Sequence, residues 1–576
     1  MPDPEQADAN RPAPHLRRRG TTTQLVVGGE PFLILGGELH NSSSSSIEYM
    51  HSIWERLVAL NLNTVLAPVS WELIEPHEGE FDFALVDGLI HEARRYGLRL
   101  ILLWFGSWKN GVSSYVPAWI KRDYARFPRA KLRSGQSAAV LSTLAEANWQ
   151  ADARAFAALM AHIRTVDGAE HTVIMVQVEN EVGLLGDSRD RSELADRAFA
   201  APVPRELIEQ LPKHQDELSA DLRERWERSG YRMSGSWEQL FGAGSATDEL
   251  FMAWNYARYI DHVATAGKAA YDLPMFVNAW LNNPEPGTDS WASGGQQPGD
   301  WPSGGPLPHT FDIWRAGAPH IDILAPDIYF GDFETWCRKY TRRGNPLFIP
   351  EMRRGGDGAR SVFCAIGQYD AIGVSPFGID SLEAPEDAPL RASYALLRQF
   401  APLILEHQGA GTMIGFVLDA EHPSVTRELG GYELRIGLDR GPAGQAEHGW
   451  GLIVADGAGA YIGAGYGFHV TFQPATPGPE LVGIEAVDEG EYRDGSWVLG
   501  RRLNGDETFS GSMWRFPLAK SDTSVFPIPI LGPGTGLSRC TLYRYGDEGR
   551  KTKARQRGFV LMRTKDEGPK TKDDDQ

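Results

Sequence analysis

Residues 171–181 read HTVIMVQVENE, an apolar run that ends in amide and acidic side chains. Seven other apolar runs lie on either side of it along the chain, and helical patterns or inserts separate them. Near-continuous apolar strands that alternate with helices are typical of a parallel sheet covered on its outer face. Eight such units predict an α/β fold, a (β/α)8 TIM barrel. The eight predicted strands are 32–37, 64–70, 98–105, 172–179, 274–280, 321–329, 346–351 and 371–379.

The texture of the sequence changes near Gly411, after which short strand patterns separated by Gly and Asp turns replace the helical ones. We therefore expect an all-β domain that follows the barrel at the C-terminal end of the chain. A doubly wound sheet is the alternative for the first part, but no Gly-rich phosphate loop follows the first strand. The predicted organisation is a disordered tail at 1–20, a barrel at 21–408 with an insert near 183–250, an all-β domain at 409–565 and a charged tail at 566–576.

The composition limits the kinds of partner and compartment. A formal net charge of -19 argues against nucleic acid or an anionic membrane surface, because both require basic faces. Cys337, Cys364 and Cys540 are far apart, which predicts buried free thiols in a reducing compartment. The N-terminus has no apolar h-region, and no apolar run is long enough to span a membrane. We therefore expect a cytoplasmic protein.

Titratable residues follow two of the predicted strands at the end where barrel enzymes hold their active sites. The fourth strand ends in Glu179, Asn180 and Glu181, and the seventh ends in Glu351. A carboxylate directly after a buried strand is costly unless it is paired or used. Glycoside hydrolysis requires two such groups, of which one donates a proton and the other attacks the anomeric carbon. The sequence therefore predicts a catalytic carboxylate pair, Glu181 and Glu351.

Four motifs resemble glycoside hydrolase clan A, and most closely the family 35 β-galactosidases. They are VQVENEVG at 176–183, FIPEM at 348–352, GGELH at 36–40 and WELIEPHEGEFDF at 71–83, the last being shared with family 42. The resemblance covers roughly residues 24–408. It implies that Glu181 is the acid/base, that Glu351 is the nucleophile and that Asn180 binds the sugar 2-hydroxyl. It also implies that Tyr329, at the end of the sixth strand, hydrogen-bonds the nucleophile.

The chain departs from the family pattern after the third strand. Family 35 enzymes usually carry an Asn-Ala-Glu or Ala-Glu-Trp stretch there that binds galactose, whereas residues 102–111 read LLWFGSWKNG. The C-terminal β domain also differs from the usual accessory domains of that family. The sequence therefore indicates a divergent subgroup.

Further residues at strand ends are candidates for contact with substrate. Trp104, Trp108 and Trp280 offer aromatic faces that suit the apolar faces of sugars, although a place in the core is the alternative for each. Asn278 and Glu38 could bind sugar hydroxyls, while Glu179 is interpreted as a structural carboxylate. The insert near 183–250 could cover the site or form a solvated excursion.

The leading hypothesis is a retaining exo-β-glycosidase, most simply a β-galactosidase, acting on an oligosaccharide or glycoside substrate. A different clan A specificity is the alternative within enzymes: a β-glucosidase, a β-mannosidase or an endo-glycanase. A non-catalytic carbohydrate-binding protein is the alternative outside them. No HxxH or HExxH spacing occurs, so no metal site and no cofactor are expected. A homo-oligomer is compatible with the sequence.

Overall fold

The computed structural model of the chain describes residues 12–283, 293–441, 444–493, 495–517 and 534–546. Strands predominate at the start and alternate with helices up to residue 376. In chain order they are β1 (His15–Arg19), β2 (Thr22–Val27), β3 (Glu30–Phe32), β4 (Ile34–Glu38), β5 (Thr64–Ser70), β6 (Arg99–Phe105), β7 (Arg129–Lys131), β8 (Ser137–Leu141), β9 (Val173–Val178), β10 (Met275–Trp280), β11 (Ile323–Ile328), β12 (Phe348–Met352) and β13 (Gly373–Pro376).

Eight of these strands close into a parallel barrel. Around the barrel the order is β4, β5, β6, β9, β10, β11, β12 and β13, so that β13 pairs with β4 and completes the circle. Nearly every residue of these strands is buried, because side chains of one face fill the interior and those of the other meet the surrounding helices. The predicted TIM barrel is confirmed, and each predicted strand overlaps an observed one.

The N-terminal strands form an antiparallel three-stranded sheet next to the barrel. β2 and β3 turn at Gly28 and Gly29, where the sequence predicts a hairpin, and β1 pairs along β2. Leu25 and Val27 join the apolar cluster inside the barrel, with Leu16 packed against it. The predicted disorder of residues 1–20 is therefore wrong from His15 onward, because β1 gains ladder hydrogen bonds and packs the partly buried Leu16 against the barrel cluster. Residues 1–11 of that predicted tail lie outside the described residues.

Helices surround the barrel and fill the connections between its strands. They are α1 (Ile47–Met50), α2 (Trp54–Ala59), α3 (Trp71–Ile74), α4 (Ala84–Arg95), α5 (Ala118–Arg122), α6 (Glu146–Asp167), α7 (Glu193–Ala200), α8 (Arg205–Ile208), α9 (Ala220–Arg228), α10 (Trp237–Phe241), α11 (Ser245–Ala270), α12 (Phe311–Gly317), α13 (Phe333–Tyr340), α14 (Gly355–Tyr369) and α15 (Ala388–His407). Within the described residues, no helix has the combination of length and hydropathy that a membrane span requires.

The insert near 183–250 contains helices α7 to α10, so its predicted helical character is confirmed. It is not a solvated excursion, because Leu207, Trp226 and Trp237 are buried in the same apolar cluster as the barrel helices. The backbone pairs Leu184 with Ser303 and so connects the start of the insert to the loop that follows β10.

The chain from Met413 onward is all-β in its described part. Its strands are β14 (Met413–Leu418), β15 (Ser424–Leu429), β16 (Tyr432–Leu438), β17 (Arg440–Gly441), β18 (Gly444–Gln445), β19 (Gly449–Ala455), β20 (Ala460–Tyr466), β21 (Phe468–Pro474), β22 (Leu481–Arg493), β23 (Ser496–Leu503), β24 (Trp514–Phe516) and β25 (Leu537–Tyr545).

Two sheets of this C-terminal region pack on a shared core. The larger has the order β14, β19, β20, β25, β22, β23, and the smaller has the order β15, β16, β21, β24. The predicted C-terminal all-β region is therefore confirmed as a fold class. The predicted tail at 566–576 and residues 547–565 of the predicted domain lie outside the described residues. Cys337, Cys364 and Cys540 are buried and unpaired, as the sequence predicted.

Candidate active site

Three carboxyl groups meet at the carboxyl ends of the barrel strands. They belong to Glu181 after β9, Asp327 in β11 and Glu351 in β12, and one oxygen of each lies within 4.8 Å of the others. All three residues are buried and line a cavity of about 420 Å³. The two glutamates predicted from the sequence are therefore brought together. Carboxylates in such a group could also hold a cation, so the expected lack of a metal site stays a prediction.

Glu351 is held by three hydrogen-bond donors. The hydroxyl of Tyr329 donates to its Oε2 at 2.8 Å, while the amides of Asn180 and Asn278 reach its Oε1 at 3.2 and 3.3 Å. Donors that converge on a carboxyl group favour its ionised form and fix its orientation. This is a setting that suits an attacking carboxylate, and it places the Tyr329 hydroxyl on Glu351 as the family resemblance implies. The binding of a sugar 2-hydroxyl by Asn180 stays a prediction.

Glu181 has a different setting from Glu351. Its Oε2 accepts one hydrogen bond, from the Asn110 side chain at 2.7 Å. Burial first, and then the charge of Glu351, raise the pKa of Glu181 to about 7, against the lowering effect of Lys109. Its backbone is in the left-handed region, with φ of 44°. A carboxyl group with this pKa can hold a proton at neutral pH and also release it.

The side chain of Asn278 connects all three carboxyl-bearing residues. Its Oδ1 accepts the backbone N–H of Glu181 at 2.9 Å, and its Nδ2 donates to Asp327 Oδ2 at 2.8 Å and to Glu351 Oε1. Asn278 is buried and belongs to β10, so it lies beneath the cavity. The sequence placed it among the site residues as a binder of sugar hydroxyls, whereas the structure makes it a partner of the carboxyl groups.

The segment after β6 completes the site. Lys109 is buried and donates from Nζ to Asn180 Oδ1 at 3.0 Å. Burial alone lowers the pKa of a lysine, but the carboxyl groups of Glu351 and Glu181 raise that of Lys109 above its ordinary value. Lys109 and Asn110 therefore supply a charged and a neutral donor to the site, in the stretch where the sequence departs from the family pattern.

Glu179 holds the backbone of the segment after β6 through two hydrogen bonds. Its two oxygens accept the backbone N–H groups of Ser107 at 3.0 Å and Trp108 at 2.7 Å. Burial and the neighbouring Asp152 hold the pKa of Glu179 well above its usual range. The structure agrees with the interpretation of Glu179 as a structural carboxylate.

The sequence did not single out Asp327 or assign Lys109 and Asn110 to the site. Asp327 lies in the stretch ILAPDIYF at 323–330, near the end of a buried strand. The rule that an acidic residue at a strand end is costly, which selected Glu181 and Glu351, applies to Asp327 equally. That signal could have found it.

The structure divides the remaining predicted binding residues. Trp280 is partly exposed and lines the cavity. Trp104 and Trp108 are fully buried and outside the cavity wall, so the predicted contact with substrate is wrong for both. The Trp104 indole donates to Asp152, and the Trp108 indole packs edge-on against Tyr259 of α11. Both are core tryptophans, the alternative that the sequence left open.

Glu38, at the end of β4, is fully buried and is not in the cavity wall. Neither of its oxygens receives a hydrogen bond from a described residue, and burial together with the charge of Glu351 raises its pKa well above the usual range. The structure therefore gives no route by which Glu38 contacts a sugar directly. None of the described residues of the insert near 183–250 lines the cavity, although Glu181, which directly precedes the insert, does.

Comparisons with known proteins agree with the motifs in the first half of the chain. Residues 24–225 match the family of glycosyl hydrolases family 35, and residues 390–515 match a domain of unknown function, DUF5597. A β-galactosidase of Xanthomonas manihotis is 32% identical over 181 residues, which are 30% of this chain and 27% of that protein. The match thus spans about a quarter of the length of this relative.

Among solved structures, a β-galactosidase from Rahnella sp. R3 has a TM-score of 0.42 at 15% identity, covering 65% of this chain and 57% of that one. The catalytic domain of a β-amylase from Paenibacillus polymyxa has a TM-score of 0.43 at 13% identity, covering 62% of this chain and 96% of that one. At these TM-scores and identities, neither structure bears on the family or function of this chain. The sequence match over residues 24–225 and the motifs within it confirm that this part of the chain resembles glycosyl hydrolases family 35.

Proposed function

We propose that the chain is a retaining exo-β-glycosidase with Glu181 as acid/base and Glu351 as nucleophile. The observation that carries this proposal is the approach of the two carboxyl groups, an oxygen of each lying within 4.8 Å of the other. Retaining enzymes hold such groups about 5–5.5 Å apart, whereas inverting enzymes separate them by about 6.5–9.5 Å to admit a water molecule. The observed approach supports the retaining mechanism.

In the first step, an oxygen of Glu351 forms a bond to the anomeric carbon while the bond from that carbon to the leaving oxygen breaks. Glu181 gives its proton to the leaving oxygen. Three donors hold the Glu351 carboxylate in place, and the pKa of Glu181, raised to about 7, lets it carry a proton at neutral pH. The two settings match the two roles.

In the second step, Glu181 is ionised and takes a proton from water. The water oxygen bonds to the anomeric carbon, and the bond from that carbon to Glu351 breaks. The sugar leaves with its original configuration, Glu181 is again protonated, and Glu351 is again a carboxylate.

The arrangement of the cavity wall supports action at chain ends. Residues at or just after the carboxyl ends of seven of the eight barrel strands line the cavity, which favours a pocket over a groove that is open on two opposite sides. One residue from each of these seven is Asn41, Lys109, Glu181, Trp280, Tyr329, Glu351 and Phe377. The volume of about 420 Å³ is within the range of small-molecule sites. We therefore propose exo action on a terminal sugar.

A β-galactoside is the first substrate to test. The Xanthomonas manihotis relative is a β-galactosidase, and the match to glycosyl hydrolases family 35 covers the first half of the barrel. The segment from Trp104 to Asn110 differs from the stretch that binds galactose in family 35, so β-glucosides and β-mannosides belong in the same test. A cytoplasmic location, assembly into a homo-oligomer and independence from cofactors stay predictions.

The test is a rate screen on nitrophenyl glycosides with wild-type protein beside Glu351→Gln. We expect one β-glycoside to be cleaved and the variant to lose on the order of a thousandfold or more in kcat. Matching thermal unfolding of both proteins shows that the fold is intact. Wild-type-like turnover by the variant would contradict the assignment of the nucleophile.

The anomeric configuration of the first product separates the two mechanisms. Proton NMR during early turnover should show the β-anomer before mutarotation, because two displacements retain configuration. An initial α-anomer would contradict the retaining mechanism. Azide adds a matched check: it should give a β-glycosyl azide with Glu181→Ala and an α-glycosyl azide with Glu351→Ala, since it replaces water in one case and the nucleophile in the other.

A further inference from the structure

Asp327 is a carboxyl group in the cavity wall that the two-carboxylate mechanism does not use. It is 3% exposed, and its Oδ2 accepts the Asn278 amide at 2.8 Å. Its Oδ1 receives no hydrogen bond from any residue that the structure describes. The carboxyl group of Asp327 faces that of Glu181, with which it makes a hydrogen bond once one of the two carries a proton.

The charges around Asp327 do not allow every carboxyl group to be ionised. The charges of Glu38 in β4, Glu181 after β9 and Glu351 in β12 act on the Asp327 carboxyl group. Tyr329 lies two residues after Asp327 in the chain. Lys109 is the cation that acts on this group of carboxyl groups from the segment after β6. One ammonium does not neutralise four buried carboxylates, so protons must remain on some of them.

The donors decide where the protons remain. Glu351 has three hydrogen-bond donors, while Asp327 has Asn278 as its only side-chain donor among the described residues. Burial, followed by the charges of Glu351 and Glu181, holds the pKa of Asp327 well above its usual range. Glu38, which has no donor among the described residues, and Asp327 are therefore the groups best suited to keep a proton. Of the two, Asp327 has an oxygen within 4.8 Å of one of Glu181 and lines the cavity with it.

We propose that Asp327 is a positioning residue that works as a neutral carboxylic acid, its Oδ1–H donating to the carboxyl group of Glu181 while its Oδ2 accepts from Asn278. The inference rests on the proposed function of Glu181. Since Glu181 Oε2 accepts from Asn110, two donors hold the Glu181 carboxylate after it has given its proton to the leaving oxygen. The proton of Asp327 stays on Asp327 in both steps, so the balance of the reaction is unchanged.

An amide can replace a neutral carboxylic acid but not a carboxylate. In Asp327→Asn the carbonyl oxygen accepts from Asn278, and the NH2 group donates to Glu181, so both contacts survive. Asp327→Ala removes both. The experiment compares kcat/KM of wild type, Asp327→Asn and Asp327→Ala against pH, for one glycoside with a poor leaving group and one activated aryl glycoside.

We expect Asp327→Asn to stay within about fivefold of wild type on the poor leaving group, and Asp327→Ala to lose about 10- to 100-fold, as when a hydrogen bond to a charged group is removed. The loss should be smaller on the activated substrate, which does not need the proton. The alkaline limb of the Asp327→Ala profile should move to higher pH, because the Glu181 carboxylate has lost a donor. A folded Asp327→Asn as impaired as Asp327→Ala, or no loss in either, overturns the proposal.

A measurement that needs no turnover separates this inference from the proposed function. In protein labelled with 13C at the aspartate carboxyl groups, the resonance that disappears in Asp327→Asn belongs to Asp327. It should report the protonated form at neutral pH, and the ionised form there overturns the inference. If Asp327→Ala does not fold, Asp327→Asn and this resonance decide. Full activity of Glu351→Gln would instead overturn the proposed function, whatever the state of Asp327.

Discussion

Glu181 and Glu351 are the same type of residue in two different settings. Three donors surround the Glu351 carboxyl group, whereas Glu181 has the Asn110 amide and a carboxyl neighbour, Asp327. The first setting stabilises a negative charge, and the second favours a proton. At the scale of single residues, the proposed roles of acid and nucleophile therefore follow from neighbours and not from residue type.

Removing the carboxyl group of Glu181 should affect substrates according to their leaving groups. We expect Glu181→Ala to lose roughly 10²- to 10⁴-fold in kcat/KM on glycosides with poor leaving groups, because these need a proton. Activated aryl glycosides should lose much less. Steady-state rates on a series of aryl glycosides check this, and equal losses across the series would count against the acid role.

The pH dependence of the wild type should report the ionisation of Glu181. The acid must be protonated to act, so kcat/KM on a poor leaving group should fall as pH rises through the pKa of about 7. The same limb should be weak with an activated aryl glycoside, which serves as the control. A profile that is flat from neutral to mildly alkaline pH for both substrates would disagree with this assignment.

The hydroxyl of Tyr329 should contribute to turnover through Glu351. Tyr329→Phe removes the 2.8 Å hydrogen bond to Glu351 Oε2, and we expect kcat to fall about 10- to 100-fold. Tyr340→Phe is the matched control, because its hydroxyl donates to a backbone oxygen, that of Pro306. Kinetics should show an activity defect in the first variant and none in the second, and thermal unfolding should show that both variants are folded. Equal kcat values in the two variants would refute the role of Tyr329.

Strand ends made much of the site predictable from the sequence. Glu181, Glu351 and Asn278 all lie in or just after the carboxyl-terminal halves of buried strands, near where barrel enzymes place their chemistry. The direction of each side chain was harder to predict from the sequence. Trp104 and Trp108 belong to the same strand and its extension, yet both point into the core, because alternation along β6 and the bend at Gly106 turn them away from the cavity.

At the scale of elements, the segment from Gly106 to Asn110 is held in place by hydrogen bonds with the residues that follow β9. Glu179 binds its backbone from one side, and the Trp108 carbonyl accepts the N–H of Asn180 from the other. These contacts bring Lys109 onto Asn180 and Asn110 onto Glu181. The placement of Glu181, the proposed acid/base, therefore depends on the close packing of two neighbouring strand ends.

A side chain at position 106 should disturb this packing. A Cβ on Gly106 would lie 2.3 Å from Trp104 Nε1 and 2.4 Å from Glu179 Oε1. We expect Gly106→Ala to lose about 1–3 kcal/mol in the free energy of unfolding and to lower kcat/KM. Gly79→Ala is the control, since its Cβ meets nothing within 4 Å and only its positive φ opposes the change. Denaturant unfolding and kinetics measure both, and retained wild-type activity in Gly106→Ala would contradict the argument.

Burial explains which elements the sequence predicted and which it did not. The barrel strands have apolar residues on both faces, so their runs are long and easily recognised. β1 reads HLRRR and is an edge strand with one apolar side chain, Leu16. Its stability comes from pairing with β2, which local composition does not reveal.

At the scale of the whole molecule, the barrel and the C-terminal sheets share one hydrophobic cluster. Leu452, Val454 and Ile462 of the larger sheet belong to the same cluster as Val362 and Leu397 of the barrel helices. Helix α14 approaches β14 so closely that the Cα of Gly367 would lie 2.9 Å from a Cβ placed on Gly415. The C-terminal region is therefore packed onto the barrel and not tethered to it.

A larger residue at position 415 should loosen this contact. A Cβ on Gly415 would also lie 2.1 Å from the backbone oxygen of Phe363, so strand and helix must move apart. We expect Gly415→Val to lower the free energy of unfolding by about 1–3 kcal/mol and to increase proteolysis between the two regions. Gly411→Ala is the control, since its Cβ meets nothing within 4 Å and only its positive φ opposes the change. Unchanged stability of Gly415→Val would show that the contact adapts.

The backbone at Glu179 and Glu181 has a consequence for engineering. Both residues adopt a positive φ, of 64° and 44°, which costs an L-amino acid roughly 1–2 kcal/mol relative to glycine. Thermostability alone would therefore favour glycine at position 181, even though this removes the proposed acid. A library sorted only for heat resistance would accumulate inactive protein at this position, so selection on this scaffold has to score turnover together with melting temperature.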